Sequence, residues 1–425
     1  MDTLEKLRSG ELAGARRLDL SCGLTEFPRE ILDLAETLEI LNLSGNQLCG
    51  LPEDFGKLHK LRIFFCSDNA FTHLPAALGS CPQLEMIGFK ANRIKTIDPA
   101  AFPPRLRWLI LTDNCIRKLP STIGRCHRLQ KLMLAGNHLA RLPDEMAACT
   151  ALQLVRLAAN RFKEFPGWLF ELPCLAWLAL GGNPWERAAE SVAMEEIPFE
   201  ELEIGSLLGE GASGHIYQGS WNGDEVAVKI FKGGMTSDGL PDSEMSACLA
   251  AGNHPGLIGA LGRISNHPED RHGLVMPLVD PGFTSLAGPP DFDSCTRDIY
   301  APDFRLSPTQ VLRAARDLSS AALHLHERGV LHGDFYAHNI LRNPDGGCLL
   351  GDFGAATLLP PGAPVERIEV LAFGILLGEL LERTEGECPA EIVKIQQRCL
   401  AGNVASRPDF REITGALEII AAVAL

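Results

Sequence analysis

Apolar residues in the first half of the chain recur in a fixed frame. Leu38, Leu41 and Leu43 precede Asn46; Leu129, Leu132 and Leu134 precede Asn137; Leu152, Val155 and Leu157 precede Asn160. The asparagines Asn46, Asn69, Asn92, Asn114, Asn137, Asn160 and Asn183 are spaced 22 or 23 residues apart, and a proline usually follows six residues later, at Pro52, Pro75, Pro120, Pro143 and Pro166. A shorter copy, Leu18, Leu20 and Leu24 with Pro28, brings the predicted strands to eight. Each unit supplies one short strand and a return segment and buries its apolar face only against its neighbours. The pattern therefore predicts a solenoid with parallel strands along the concave side. An asparagine at each turn out of a strand can satisfy backbone groups of adjacent coils.

This frame resembles the leucine-rich repeat family of the Leu-Pro-containing kind, over roughly residues 15–185, behind an N-terminal cap at 1–14. Cys81, Cys126 and Cys149 each fall 12 residues after a repeat asparagine, where the second repeat has Leu58. They read as small buried apolar residues, with no reactive thiol or metal site among them. Side chains alternate along a strand, so the positions between framework leucines point outward onto the concave face. Those positions include Phe65, Met86, Trp108, Ile110, Met133, Leu154 and Trp177. An outward face with this much apolar and aromatic surface is expected to meet a protein partner, or else to be covered by the rest of this chain or a second copy.

The pattern changes after residue 198. An Ala/Glu-rich stretch at 186–198 reads as a linker or capping helix, and Leu208-Gly209-Glu210-Gly211-Ala212-Ser213-Gly214-His215-Ile216 follows. Glycines at this spacing let backbone amides approach a phosphate without Cβ clashes, although the motif alone also fits a hairpin turn or a dinucleotide site. Val226-Ala227-Val228-Lys229-Ile230 then places one lysine in an apolar strand, where it needs anionic partners. Further on come His332-Gly333-Asp334-Phe335-Tyr336-Ala337-His338-Asn339 and Gly351-Asp352-Phe353-Gly354. A lysine for phosphates, an Asp for the nucleophile, and carboxylate and amide oxygens for a metal are what phosphoryl transfer from a nucleotide requires.

In this order the set resembles a protein kinase domain over about 199–425, with a small lobe at 199–279 and a large lobe at 280–425. The implied fold is an α/β leucine-rich repeat solenoid, a parallel-sheet horseshoe, followed by an α+β bilobal kinase-like domain. The resemblance makes Lys229 the phosphate-anchoring lysine, Glu244 its ion-pair partner and Asp334 the catalytic base. Asn339 and Asp352 become the Mg2+ ligands, with ATP as co-substrate. Gly209, Gly211 and Gly214 would cover the phosphates, and Ile216 and Ala227 the adenine. Met276 would stand at the back of the pocket, with Leu278 in the stretch facing the base. Val370-Leu371-Ala372-Phe373-Gly374 resembles the buried central helix, with Glu369 where the family has Asp.

Departures from the family pattern bear on activity. Gly333 replaces the usual Arg before the catalytic Asp, and Tyr336 stands where serine/threonine kinases carry Lys. Only 14 residues separate Gly354 from Glu369, so regulation through a phosphorylated activation loop is not expected. Glu366 is a candidate partner for Arg407. His338 reads as a hydrogen-bonding residue more readily than as a substitute cation. A proline- and aspartate-rich insertion at 288–305, with Asp291, Asp293 and Asp298, reads as a solvated loop.

Composition narrows the function classes. The 425 residues carry 39 Lys+Arg against 54 Asp+Glu, a net charge of -15, which argues against nucleic acid or an anionic membrane as partner. The excess acid sits wholly in the second half, since residues 1–197 hold 23 basic and 23 acidic side chains and 198–425 hold 16 and 31. Thirteen cysteines without a C-x-x-C pair fit reduced thiols in the cytoplasm. No signal peptide or membrane segment is expected, because Met1-Asp2-Thr3-Leu4 opens no basic-then-apolar pattern and the apolar run 417–425 is too short to span a bilayer. The expectation is an ATP-dependent protein kinase, serine/threonine-directed by family frequency, whose repeats recruit a substrate or partner. A pseudokinase scaffold and a small-molecule kinase are the alternatives.

Overall fold

The computed structural model describes residues 3–186, 195–211, 213–236 and 238–424. The chain divides into two compact units, Met1–Leu172 and Pro173–Leu425.

In the first unit, strands Arg17–Asp19, Ile40–Asn42, Ile63–Phe65, Met86–Gly88, Trp108–Ile110, Lys131–Met133 and Leu154–Arg156 follow one another. All pair in parallel, with Ile40, Ile63, Met86, Trp108, Lys131 and Leu154 in one register row. Most of the repeat prolines cap short 3-10 turns: Glu53–Lys57 follows Pro52, Ala76–Ser80 follows Pro75, and Ser121–Arg125 follows Pro120. A fixed φ near −70° and a missing N–H suit the first position of such a turn.

The asparagines form the predicted ladder. Asn137 Nδ2 donates to Leu111 O (2.9 Å) and Leu134 O (3.0 Å), while its Oδ1 accepts from the Ile116 amide (3.0 Å). One side chain thus closes backbone groups of two coils in an interior where water is excluded. Cys81, Cys126 and Cys149 are buried, and burial pushes their thiols up to about 12, about 12 and about 11.

The outward row differs from the expected exposed patch. Met86 and Leu154 are buried, and Phe65, Trp108, Ile110 and Met133 are half-buried. The reason is lateral packing between strands under 5 Å apart. The Phe65 ring lies so close over Gly88 that a Cβ there would sit 2.4 Å from Cδ1. Trp108 Nε1 donates to Met133 Sδ (3.3 Å), and Lys131 Nζ lies 4.3 Å from the Trp108 ring centre.

The second unit begins inside the eighth repeat, so the strand Trp177–Ala179 belongs to it. Its main sheet runs Glu196–Pro198, Gly262–Ser265, Gly273–Pro277, Asp224–Phe231, Gly214–Trp221, Glu203–Glu210, parallel at the first pair and antiparallel elsewhere. Glu196–Pro198 was expected in the linker and is instead a sheet strand, because Ile197 buries against Val226, Ile264 and Val275. Residues 187–194 of that stretch lie outside the described residues.

Helix Pro308–Glu327 starts on a capping box of Ser307 and Gln310, with Pro308 in the first turn, and turns Val311, Leu318, Ala322 and Leu325 inward. Helix Glu366–Leu381 is apolar almost all round and correspondingly buried. Among the described residues no helix is long and apolar enough to cross a membrane.

Candidate active site

The glycine-rich turn joins strands Glu203–Glu210 and Gly214–Trp221, closed by Gly211 N–H donating to Gly214 O (2.9 Å). Gly214 is the glycine that packing demands, since a Cβ there would lie 2.6 Å from Ile230 O. Gly209 and Gly211 face open space, leaving backbone accessible. Lys229, on strand Asp224–Phe231, forms an ion pair with Glu244 of helix Pro241–Ala251. Burial pushes the Glu244 carboxyl up against the pull of Lys229, and the nearby Asp352 adds to the rise. Gly211, Gly214, Ile216, Lys229, Glu244, Met276 and Asp352 line one cleft. Ala227 pairs with Met276 in the sheet, while Gly209, Ala227 and the half-buried Leu278 are not part of the lining.

The loop 332–339 follows strand Val330–Leu331. His332 is fully buried; its Nε2 donates to Gly351 O (2.9 Å) and its Nδ1 accepts from the Asp334 amide (3.3 Å). This ties the Asp334 loop to the residue before Asp352. Asn339 Nδ2 donates both to Asp334 O and to Asp334 Oδ2, each at 2.9 Å. Gly333 donates its N–H to Glu369 Oε1 (2.8 Å), and His326 Nε2 donates to Glu369 Oε2 (2.7 Å). Glu369 therefore anchors the 332–339 loop to helix Glu366–Leu381. Gly333 has φ +76, and a Cβ there would lie 2.4 Å from Leu178 O and 2.8 Å from Ala355 O. No arginine fits at that position. Asp352 holds φ +55, with its Oδ1 accepting from Gly354 N–H (3.1 Å).

Two expectations are corrected. Arg407 does not pair with Glu366: it is buried and donates to Ala401 O, Arg367 O and Pro173 O, while Glu366 accepts the Phe410 amide at the start of the central helix. The insertion 288–305 is not wholly solvated. Asp291 is exposed, but Asp298 is buried and accepts from His338 Nδ1 (2.7 Å) and the His338 amide (3.1 Å). Despite burial, Asp298, with Asp334 and Asp352 nearby, raises the His338 pKa. Trp177, expected to point outward and either meet a partner or be covered by the rest of this chain, is covered, stacking on Tyr336 with centroids 4.0 Å apart and planes 6° apart. These contacts had no local signal, because each joins residues far apart in sequence.

Tyr300 holds the other end of the insertion, its hydroxyl donating to Glu379 Oε2 (2.9 Å) under the Arg383 guanidinium. Burial pushes the Glu379 carboxyl up to about 7, with Asp298 adding to the rise and Tyr300, Arg297 and Arg383 opposing it. The folded state thus holds a proton that the unfolded chain releases near pH ~4.3. The stability this proton carries is complete below that value and is lost as pH rises through about 7. Urea unfolding at pH 5 and pH 8 should show the wild type losing up to roughly 3 kcal/mol relative to Glu379→Gln across that interval. Parallel pH profiles for the two proteins would contradict the assignment.

Comparison with known proteins accords with this geometry. Residues 202–364 match the protein tyrosine and serine/threonine kinase family, and residues 37–58 and 82–139 match leucine rich repeats. The chain is 25% identical over 271 residues to the dual specificity protein kinase pyk3 of Dictyostelium discoideum, covering 53% of this chain and 19% of that one. A probable LIM domain-containing serine/threonine-protein kinase of the same organism is 24% identical over 275 residues, covering 53% of this chain and 40% of the relative. A probable serine/threonine-protein kinase, also from Dictyostelium discoideum, is 23% identical over 273 residues, covering 53% and 44%. A solved leucine-rich repeat protein of Leptospira interrogans shares 28% identity over 42% of this chain and 46% of its own, with a TM-score of 0.39. This chain spans less than half the length of the three kinases it matches. It carries leucine-rich repeats ahead of a protein kinase domain.

Proposed function

We propose that this chain is an ATP-dependent protein kinase, directed to serine or threonine. The observation that carries the reading is the closed Lys229–Glu244 pair in one cleft with Asp352, beside a catalytic loop whose Asn339 is bonded to Asp334. In this reading Lys229 binds the α- and β-phosphates, and Glu244 keeps its ammonium aimed at them. Backbone amides of the glycine-rich turn cover the phosphates. Asp334 orients the substrate hydroxyl and takes its proton.

The donor set fits Mg2+. Asn339 donates through Nδ2 and keeps its Oδ1 for a metal, and Asp352 supplies a carboxylate. Hard oxygen donors of this kind suit that ion, which when bound would neutralise charge on the β- and γ-phosphates. Asn339 and Asp352 are the residues that would hold it.

Leucine-rich repeats generally mediate protein contacts, and the half-buried Phe65, Trp108, Ile110 and Met133 share one side of the first unit's sheet. We assign the recruitment of a substrate or partner to that side. The thirteen cysteines, all free, fit a cytoplasmic location.

Replacing Lys229 by Met removes the cation from the phosphates and should lower transfer from labelled Mg-ATP on the order of a hundredfold. Equal rates in wild type and variant would remove Lys229 from the mechanism.

A further inference from the structure

The kinase domain reads as having lost most of its activation segment, yet its catalytic loop is held at both carbonyls that flank Asp334. Trp177 Nε1 donates to Phe335 O (3.2 Å), and the Leu178 amide donates to Gly333 O (3.1 Å). The donors come from the strand Trp177–Ala179, far upstream in sequence. The same stretch also holds the chain just beyond Asp352-Phe353-Gly354. Leu180 N–H donates to Thr357 Oγ1 (3.1 Å), and Glu186 Oε1 accepts from the Leu358 amide (2.9 Å). Its upstream end is fixed as well, with Arg407 Nη2 donating to Pro173 O (2.6 Å).

Two sequence departures follow from this attachment. Gly333 replaces an arginine because Leu178 O fills the space of a Cβ. Tyr336 replaces a lysine, and its ring sits in a cluster: the Arg297 guanidinium lies 5.3 Å from the Trp177 ring centre, Trp177 stacks on Tyr336, and the His338 ring centre is 5.0 Å from that of Tyr336. Asp298, next to Arg297 in sequence, accepts from His338. Arg407 is redirected from a carboxylate to the Pro173 carbonyl.

We propose that segment 173–186 serves as a built-in brace that holds the catalytic loop in its transfer geometry without phosphorylation, with Trp177 as the positioning residue for Asp334. The inference rests on the kinase reading above. Trp177 works through the Phe335 carbonyl and the Tyr336 ring, so its loss misplaces Asp334 and leaves the nucleotide cleft, which it does not line, intact.

The test compares the phosphatase-treated 425-residue chain with Trp177→Ala and Trp177→Phe, measuring kcat, KM for ATP, affinity for a fluorescent ATP analogue, melting temperature and amide exchange. Trp177→Ala should lower kcat roughly tenfold to a hundredfold, with nucleotide affinity unchanged. Trp177→Phe keeps the stack but not the Nε1–H donor to Phe335 O, and should recover part of the rate. Exchange at 333–339 should quicken in the alanine variant while strand Asp224–Phe231 is unaffected. An unchanged or higher kcat in Trp177→Ala would overturn the proposal, as would a parallel fall of kcat, nucleotide affinity and melting temperature. A wild-type rate that vanishes on phosphatase treatment would also overturn it. If the wild type transfers no phosphoryl group before or after treatment, the kinase reading fails by itself. The exchange data then decide the brace, and unchanged protection at 333–339 would reject it.

Discussion

Replacing Asp334 by Asn is expected to lower phosphoryl transfer by about a thousandfold, within the range that a positioned general base contributes. Nucleotide binding and melting temperature should hold. The Asn339 amide, which donates to Asp334 Oδ2 at 2.9 Å, still finds an acceptor in the amide oxygen of the variant. The main-chain contacts of Asp334, its N–H to His332 and its C=O from Asn339, are unaffected. The variant removes the charge of the carboxylate and with it the ability to take a proton. Initial rates with labelled ATP, alongside titration of a fluorescent nucleotide, separate the two quantities. Full turnover in Asp334→Asn would place the base elsewhere.

The second large effect is expected at Glu369, which is buried in the central helix and bridges Gly333 N–H and His326. Burial raises the pKa of this carboxyl, but the His326 contact and the Gly333 amide together hold it below the usual value. It is therefore a charged group whose partners compensate its burial. Removing it in Glu369→Ala leaves His326 and the Gly333 amide without their acceptor, at a cost of about 3–5 kcal/mol. Urea unfolding measures the loss, and kcat should fall with it, because Gly333 adjoins Asp334. A change below about 1 kcal/mol, the size of an ordinary surface effect, would contradict the anchoring role.

What the sequence made legible follows the range of the interactions. The repeat frame was readable because each coil meets its neighbours at a fixed spacing, so Asn137 reaches Leu111 and Ile116 in the preceding coil. Lys229, Asp334, Asn339 and Asp352 stand out in the sequence because the phosphate and metal chemistry we propose for them restricts the residue types at those points. The cover of Trp177 by the rest of this chain agrees with one of the two readings the sequence leaves open, but the covering residue has no local signal. Alternation along a strand says that its ring points outward from the repeat, and nothing in the local pattern says that Tyr336, 159 positions on, lies opposite. Asp298 was grouped with Asp291 and Asp293 as a solvated acidic loop, yet the His338 contact draws it into the interior. Arg407 is matched to a carboxylate on family pattern, whereas its donors go to the backbone carbonyls of Ala401, Arg367 and Pro173.

Trp177, Arg297, Asp298 and His338 gather beside Tyr336, which stands where serine/threonine kinases carry a lysine, and they come from stretches of chain far apart in sequence.

Phosphoryl transfer is measured most directly by following labelled γ-phosphate from Mg-ATP into protein in the 425-residue chain, counting ADP release in the same reaction and using Asp334→Asn as the reference. The expected result is transfer and ADP release by the wild type and almost none of either by the variant. Nucleotide binding by both proteins, with no transfer and no ADP release by either, would contradict it and leave a nucleotide-binding scaffold.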